Sequence, residues 1–145
     1  MGWVTDMERE DVALQRKRRT WRTTCEWVYG KSGSGKSHYA FANYSPDTHY
    51  VYINDRGWWD GYTGQPIVIV DDVTKMKYHQ LADLLFANSK MLKRRGRKPV
   101  PFLAQKIIVT SLLKPEGVYC NLACDIVRCA NEDCAFVVHT EKTEE

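Results

Sequence analysis

The segment Gly30-Lys31-Ser32-Gly33-Ser34-Gly35-Lys36-Ser37 constrains the fold of this chain more than any other. It follows a short, mostly apolar run, Glu26-Trp27-Val28-Tyr29, that suits a buried strand. It leads into Ser37 to Phe41, which can open a helix. Glycines at 30, 33 and 35 let the backbone curl where a Cβ would intrude. The N–H groups of such a loop converge as a nest, and the helix behind it adds the positive end of its dipole. The pattern G-x-x-x-x-G-K-[ST] is therefore a cradle for a polyphosphate. Gly30, Ser32, Gly33, Ser34, Gly35, Lys36 and Ser37 would enclose the anion, with Lys36 on its β- and γ-phosphates and the Ser37 hydroxyl on Mg²⁺. A chance match in a glycine-bearing loop is the alternative; the flanking strand and helix argue against it.

The second strong signal is Ile67-Val68-Ile69-Val70-Asp71-Asp72. Four consecutive β-branched residues suit a strand buried on both faces, as in a parallel sheet. Two carboxylates at its end fall where open α/β sheets place their ligands. Taken alone, paired acids after a strand are more simply a helix cap. Thirty-odd residues behind a phosphate loop they suit nucleotide hydrolysis, Asp71 completing a Mg²⁺ shell and Asp72 polarising the attacking water.

At 145 residues the chain has the size of one domain. A net charge of +3 is too small to identify a partner, so the distribution of charge matters more. Asp6 to Asp11 is acidic and Arg16-Lys17-Arg18-Arg19 basic, an order that suits the dipole of a solvated helix or linker. A second basic run holds Lys90, Lys93, Arg94, Arg95, Arg97 and Lys98 around Gly96, the form of a hairpin whose tip reaches a phosphate backbone. A solvated loop is the bland alternative.

Between these runs, His49 to Ile53 alternates like a strand and Tyr78 to Ala87 carries Leu81, Leu84 and Leu85 at helical spacing. Trp58-Trp59-Asp60-Gly61-Tyr62 could stack on bases or pack in a core, and packing is the favoured reading. Ile107-Ile108-Val109-Thr110-Ser111 is another buried strand, Val118 to Cys129 a helix, and Ala135 to His139 a last strand. Cys120, Cys124, Cys129 and Cys134 match no paired zinc knuckle, so buried small residues are favoured over a zinc site. Reduced thiols are expected because a phosphate-loop enzyme works inside cells. The N-terminal stretch resembles no signal peptide and no segment has the length and apolarity of a membrane span, so neither is expected.

Trp21, the Gly30–Ser37 loop, Trp58-Trp59-Asp60-Gly61-Tyr62, Asp71-Asp72, Val100-Pro101-Phe102-Leu103-Ala104 and Val109-Thr110-Ser111 stand in an order that resembles one family. It is the helicase domain of the replication-initiator proteins of circoviruses and their relatives, a branch of the superfamily-three helicases. The resemblance runs from about Trp21 to Val138 and implies an α/β P-loop NTPase of AAA-plus type. Such a unit has a mainly parallel central sheet flanked by helices, with a basic β-hairpin or loop insertion. It implies ATP and Mg²⁺ as cofactors, single-stranded DNA as partner, and a homo-oligomeric ring, usually a hexamer, at work in the host-cell nucleus.

By position, the resemblance puts Lys36 and Ser37 in the first motif and Asp71 and Asp72 in the second. It sets Lys93, Arg94, Arg95, Arg97 and Lys98 at the DNA-binding hairpin and Arg128 near the arginine finger. The expected organisation is a charged linker or oligomerisation helix over 1–20, the ATPase over 21–139 and a flexible tail over 140–145. Three departures stand out. The family's third motif ends in an Asn that senses the γ-phosphate, but Leu112 follows Thr110-Ser111 here. Ser111 or Thr110 must then substitute, or hydrolysis is weak. The hairpin usually shows one Lys before two Gly, whereas Gly96 stands alone among basic residues. Full initiators also carry a nicking domain with an H-x-H site and a Tyr nucleophile, and neither can be placed ahead of Gly30. A superfamily-three RNA helicase and a weakly hydrolysing DNA-binding module are the competing expectations.

Overall fold

The computed structural model of the chain describes residues 6–30, 35–53, 56–87, 89–113 and 136–139. Five strands form one sheet: β1 (Thr24–Tyr29), β2 (His49–Val51), β3 (Ile67–Val70), β6 (Lys106–Ser111) and β7 (Phe136–His139). Their order across the sheet is β2-β3-β6-β1-β7, and every neighbouring pair is parallel. The expected strand over His49 to Ile53 is shorter than its alternation suggested, ending at Val51.

Parallel strands must be covered on both faces, which is why β3 and β6 read as unbroken apolar runs. Because side chains alternate along a strand, each run serves two cores. Cys25, Trp27, Val68, Val70, Ile107 and Val109 face the larger one. Val28, Ile69 and Ile108 face a smaller one, closed by Ala40 of α2 (Lys36–Ala40) and by Phe41. Burial pushes the Cys25 thiol well above its ordinary range, so it stays protonated.

Aromatic side chains fill the larger core. Tyr50, Tyr52, Trp59, Tyr62 and Phe102 form a continuous cluster, with the Tyr52 and Trp59 ring centroids 4.8 Å apart. Trp59 and Tyr62 are 5% and 0% exposed, so the packing reading of this segment holds for both and neither can stack on a base. The Tyr62 hydroxyl donates to the Gln65 carbonyl at 3.1 Å and accepts from the Leu103 amide at 3.0 Å. A buried phenol is thereby satisfied in both directions. Helix α3 (Tyr78–Phe86) closes this core through Leu81, Leu84 and Leu85, the i, i+3, i+4 face its spacing predicted.

The charged N-terminal segment is helical over Asp6–Gln15 (α1), but it is not simply solvated. Leu14 enters the larger core beside Gly64, where an added Cβ would meet Leu14 Cδ1 at 3.0 Å. Gln15 Nε2 donates to the Pro99 carbonyl at 2.9 Å. Arg19 corrects the reading of the basic run as a solvated face, for it is 7% exposed. Its guanidinium lies 5.4 Å from the Phe102 ring centroid and donates to the Thr23 hydroxyl and to the Leu84 and Ala87 carbonyls. Those carbonyls end α3, which leaves acceptors unpaired and favours a cation. The fork of donors on one planar group suits that position better than a lysine would.

Strands β4 (Met91–Arg94) and β5 (Arg97–Pro101) make a separate antiparallel pair that turns at Arg95-Gly96. Gly96 takes φ 73°, the left-handed conformation that a turn of two residues demands and glycine adopts without strain. Leu92 and Val100 point into the larger core and anchor the pair to the sheet.

Candidate functional site

The carboxyl ends of β1, β3 and β6 meet at one edge of the sheet. Tyr29 is in register with Ser111, and Val70 with Val109. The residue after each strand therefore arrives at the same place, the location where open α/β sheets bind ligands. The Gly30 amide donates to the Ser111 carbonyl at 3.0 Å, fixing where the glycine loop leaves the sheet. Gly35 follows at φ 87°, and Lys36 and Ser37 open α2. Ser32, Gly33 and Ser34, expected to line the cradle, lie outside the described residues.

Three oxygens converge at this edge. Ser37 Oγ donates to Asp71 Oδ1 at 2.9 Å, and Thr110 Oγ1 donates to the same oxygen at 2.8 Å. Residues from α2, β3 and β6 are thus joined at one carboxylate. The Lys75 ammonium donates to the Asp71 carbonyl at 2.9 Å and adds a fixed positive charge. Ser37 and Asp71 are hard oxygen donors side by side, a set that suits Mg²⁺ better than a soft metal.

Asp72 takes the capping role that the sequence offered as one alternative. Its Oδ1 accepts from the Thr74 amide at 3.0 Å and the Thr74 hydroxyl at 2.8 Å, capping the short 3₁₀ turn Val73–Lys75. The Thr74 bonds hold the carboxyl below its usual range, with Lys75 and Lys36 helping, so Asp72 is charged at neutral pH. Its backbone sits at φ 86°, ψ 102°, the only positive φ outside glycine among the described residues.

Thr110 and Ser111 divide the end of β6 between them. Both are buried. Ser111 Oγ accepts from the Leu113 amide at 3.0 Å and so shapes the exit of the chain from the sheet. Thr110 Oγ1 faces the two acids. Strand alternation guarantees that adjacent hydroxyls point to opposite faces, but which face holds the acids is not legible from the motif. Leu112 is 64% exposed. Arg128 and the four C-terminal cysteines lie outside the described residues, as does the helix expected over Val118 to Cys129.

The basic residues of β4 and β5 have unequal roles. Arg94 is 4% exposed, and it donates to the Tyr62 carbonyl at 3.2 Å and, from Nη2, to the Lys98 carbonyl at 2.8 Å. It belongs to the frame of the turn rather than to its outer charges. Lys93, Arg95 and Lys98 are exposed and Arg97 half-buried. Arg95 is braced by Asp60, whose Oδ1 accepts from the Arg95 amide at 2.7 Å and Oδ2 from its Nε at 2.6 Å. Arg95 holds the Asp60 carboxyl below its usual range, by these bonds first and by charge second. The Trp59 amide donates to the Lys93 carbonyl at 2.8 Å. The aromatic segment thus supports the turn from beneath, a function of Asp60 that sequence reasoning missed. Its only trace was a lone acid between aromatics, opposite a basic run.

A family model described as RNA helicase matches residues 26–111, which span β1 through β6 and every acid and hydroxyl just placed. The chain belongs to this helicase family. It is similar to the replication-associated protein of Porcine circovirus 2, with 32% identity over 77% of this chain and 36% of that protein. The corresponding protein of Goose circovirus is 32% identical over 78% of this chain and 38% of its own length. That of Beak and feather disease virus is 33% identical over 70% and 34%. The chain therefore spans about a third of the length of the curated relatives it matches. Family and relatives agree with the resemblance carried by the sequence motifs, to a superfamily-three helicase domain of circovirus type. No helix among the described residues is long and apolar enough to cross a membrane.

Proposed function

We propose that this chain is the ATP-dependent helicase unit of a viral replication initiator, acting on single-stranded DNA. The observation that carries the proposal is the 2.9 Å contact from Ser37 to Asp71, which joins the phosphate loop to the acidic end of β3. Lys36 would bind the β- and γ-phosphates of ATP as a point charge. Ser37 and Asp71 would hold Mg²⁺, which when bound supplies charge neutralisation on the phosphate oxygens. Asp72, charged and next in the chain to Asp71, would orient the attacking water and accept its proton. Ser111 is proposed as γ-phosphate sensor through its place at the end of β6, and Arg128 as an arginine finger donated to a neighbouring subunit.

The finer architecture follows the same reading. We assign residues 21–139 to an AAA-plus ATPase, with 1–20 as a charged segment whose helix α1 docks on it and 140–145 as a tail. The unit would assemble as a homo-oligomeric ring, a hexamer, with the β4–β5 turn facing the strand in the host-cell nucleus. Lys93, Arg95, Arg97 and Lys98 would contact phosphates, and Arg94 would hold their frame.

ATP hydrolysis measured with and without single-stranded DNA, alongside mass in solution, tests this reading. Stimulation by DNA and an ATP-dependent rise in mass support it. The family description favours one competing substrate, an RNA strand. Stimulation by RNA in preference to DNA of the same length would move the proposal to that substrate. Binding of DNA without any hydrolysis would leave a nucleotide-dependent binding module instead.

A further inference from the structure

We infer that Thr110 is a positioning residue for the acidic pair, coupling the Asp71 carboxylate to the backbone conformation of Asp72. The inference rests on the ATPase reading and goes beyond it, because it assigns Thr110 to the protein's own carboxylates rather than to a phosphate.

The geometry leaves little freedom. One hydroxyl oxygen, Thr110 Oγ1, lies 2.8 Å from Asp71 Oδ1 and 2.8 Å from the Asp72 amide nitrogen. An ionised carboxylate only accepts and an amide N–H only donates, so the polarity of both bonds is set. Thr110 gives its single proton to Asp71 and takes the Asp72 N–H on a lone pair. The threonine is 2% exposed, so neither bond is readily replaced by water.

What these bonds hold is unusual on both sides. Asp72 stands at φ 86°, ψ 102°, outside the small left-handed region that aspartate tolerates. Such a conformation persists only where its surroundings over-determine it. Here the Asp72 amide is fixed by Thr110 and its carboxylate by Thr74. Asp71 Oδ1 meanwhile receives both the Thr110 and Ser37 hydroxyls. A cation held by Ser37 and Asp71 would compete for the Ser37 hydroxyl, and the bond from Thr110 Oγ1 would still hold Asp71 Oδ1 at the end of β6. The same atom keeps Asp72 in place, so displacement of one acid is felt by the other.

A merely structural threonine would fill space, and Thr110→Val keeps that shape while deleting the hydroxyl. Thr110→Ser keeps the hydroxyl and drops a methyl group. Hydrogen exchange at the Asp72 amide reads the coupling without reference to turnover, and Thr110→Val should speed it about tenfold or more. In the same variant turnover should fall about tenfold, with the Mg²⁺ concentration for half-maximal rate raised and KM for ATP little changed. Thr110→Ser should recover most of each loss. Thr110→Ala carries the same predictions should the valine variant not fold.

A wild-type chain that hydrolyses no ATP overturns the functional reading and this role with it. Hydrolysis by wild type, matched by Thr110→Val at every Mg²⁺ concentration, overturns the inference alone. Unchanged exchange at the Asp72 amide does the same, and so does a serine variant as impaired as the valine one.

Discussion

The carboxyl edge of the parallel sheet and the β4–β5 turn are both polar regions raised on the same core, yet they are held in different ways. At the sheet edge the polar groups are tied to one another by short bonds at or near the end of buried strands. Thr110 and Ser111 are 2% and 4% exposed, and register alone brings Gly30, Asp71 and Ser111 together. At the turn the outer cations stand in solvent, and what orders them is a bed of aromatics with one exposed acid. Asp60 and Arg95 are 37% and 61% exposed at the side chain. The first arrangement suits chemistry, which needs atoms fixed to fractions of an ångström. The second suits a strand of any sequence, which needs charge at roughly the right place.

The comparison breaks most visibly at Trp59. It contacts Tyr50, Tyr52, Tyr62 and Phe102, and its amide holds Lys93. Trp59→Ala should cost about 3–5 kcal/mol of stability in a denaturant titration. In the surviving folded protein, DNA binding should suffer more than nucleotide binding, since the cavity opens under the turn. Equal losses at both regions would show that the core does not support them separately.

Lys36→Ala addresses the sheet edge alone. Turnover should drop about a hundredfold or more, as it does when one preorganised charge-stabilising donor is deleted elsewhere. Melting temperature and salt-dependent DNA affinity without nucleotide should hold. A parallel loss of DNA affinity would mean that the two regions are one site.

Neutralising Lys93, Arg95, Arg97 and Lys98 together should leave nucleotide affinity intact and flatten the salt dependence of single-strand binding. Each phosphate contact removed lowers the log–log slope by about 0.7. Arg94→Met separates frame from contact: it should lower stability, with a change in slope no larger than the loosened turn causes. An unchanged slope in the fourfold variant would reduce the turn to a solvated face.

The smallest effect expected is the acid response of the brace. Arg95 lowers the folded-state pKa of Asp60, so this carboxyl contributes stability above its unfolded pKa of about 3.9. That contribution fades as pH falls through the lower, folded-state value. Asp72 shifts in the same direction for its own local reasons. Asp60→Ala should therefore flatten part of the decline in melting temperature below about pH 4 and slightly loosen the Arg95 amide to hydrogen exchange. An acid limb identical to wild type would show that the pair contributes nothing measurable, as exposed ion pairs often do.

Where local patterning carried the information, the sequence was a good guide. Ile67–Val70 and Ile107-Ile108-Val109-Thr110 are β-branched runs that had to be buried strands, and the glycine loop had to join a strand to a helix. Asp71 was legible because its distance from the loop and its place after a strand left few other uses. Arg19 and Arg94 were not. Each sits in a basic cluster whose composition suggests solvent, and each is buried because a distant element offers it carbonyls: Leu84 and Ala87 for one, Tyr62 for the other. Nothing within a few residues of either arginine records those partners.

By itself, then, the sequence determined the classes of the central elements, the glycine loop between a strand and a helix, and the two acids at a strand end, because these follow from side-chain periodicity and from glycine's freedom over a few residues. Tertiary structure decided the strand order, which brings β6 between β1 and β3 although it is made after both. That order, with the β3–β6 register and the alternation of side chains, sets Thr110 rather than its neighbour Ser111 against Asp71 and Asp72, and packing of the separate β4–β5 pair brings Arg95 to Asp60. Hydrogen bonds of 3 Å or less act between atoms that the chain separates by more than thirty residues, and only packing of the whole sheet specifies which of them meet.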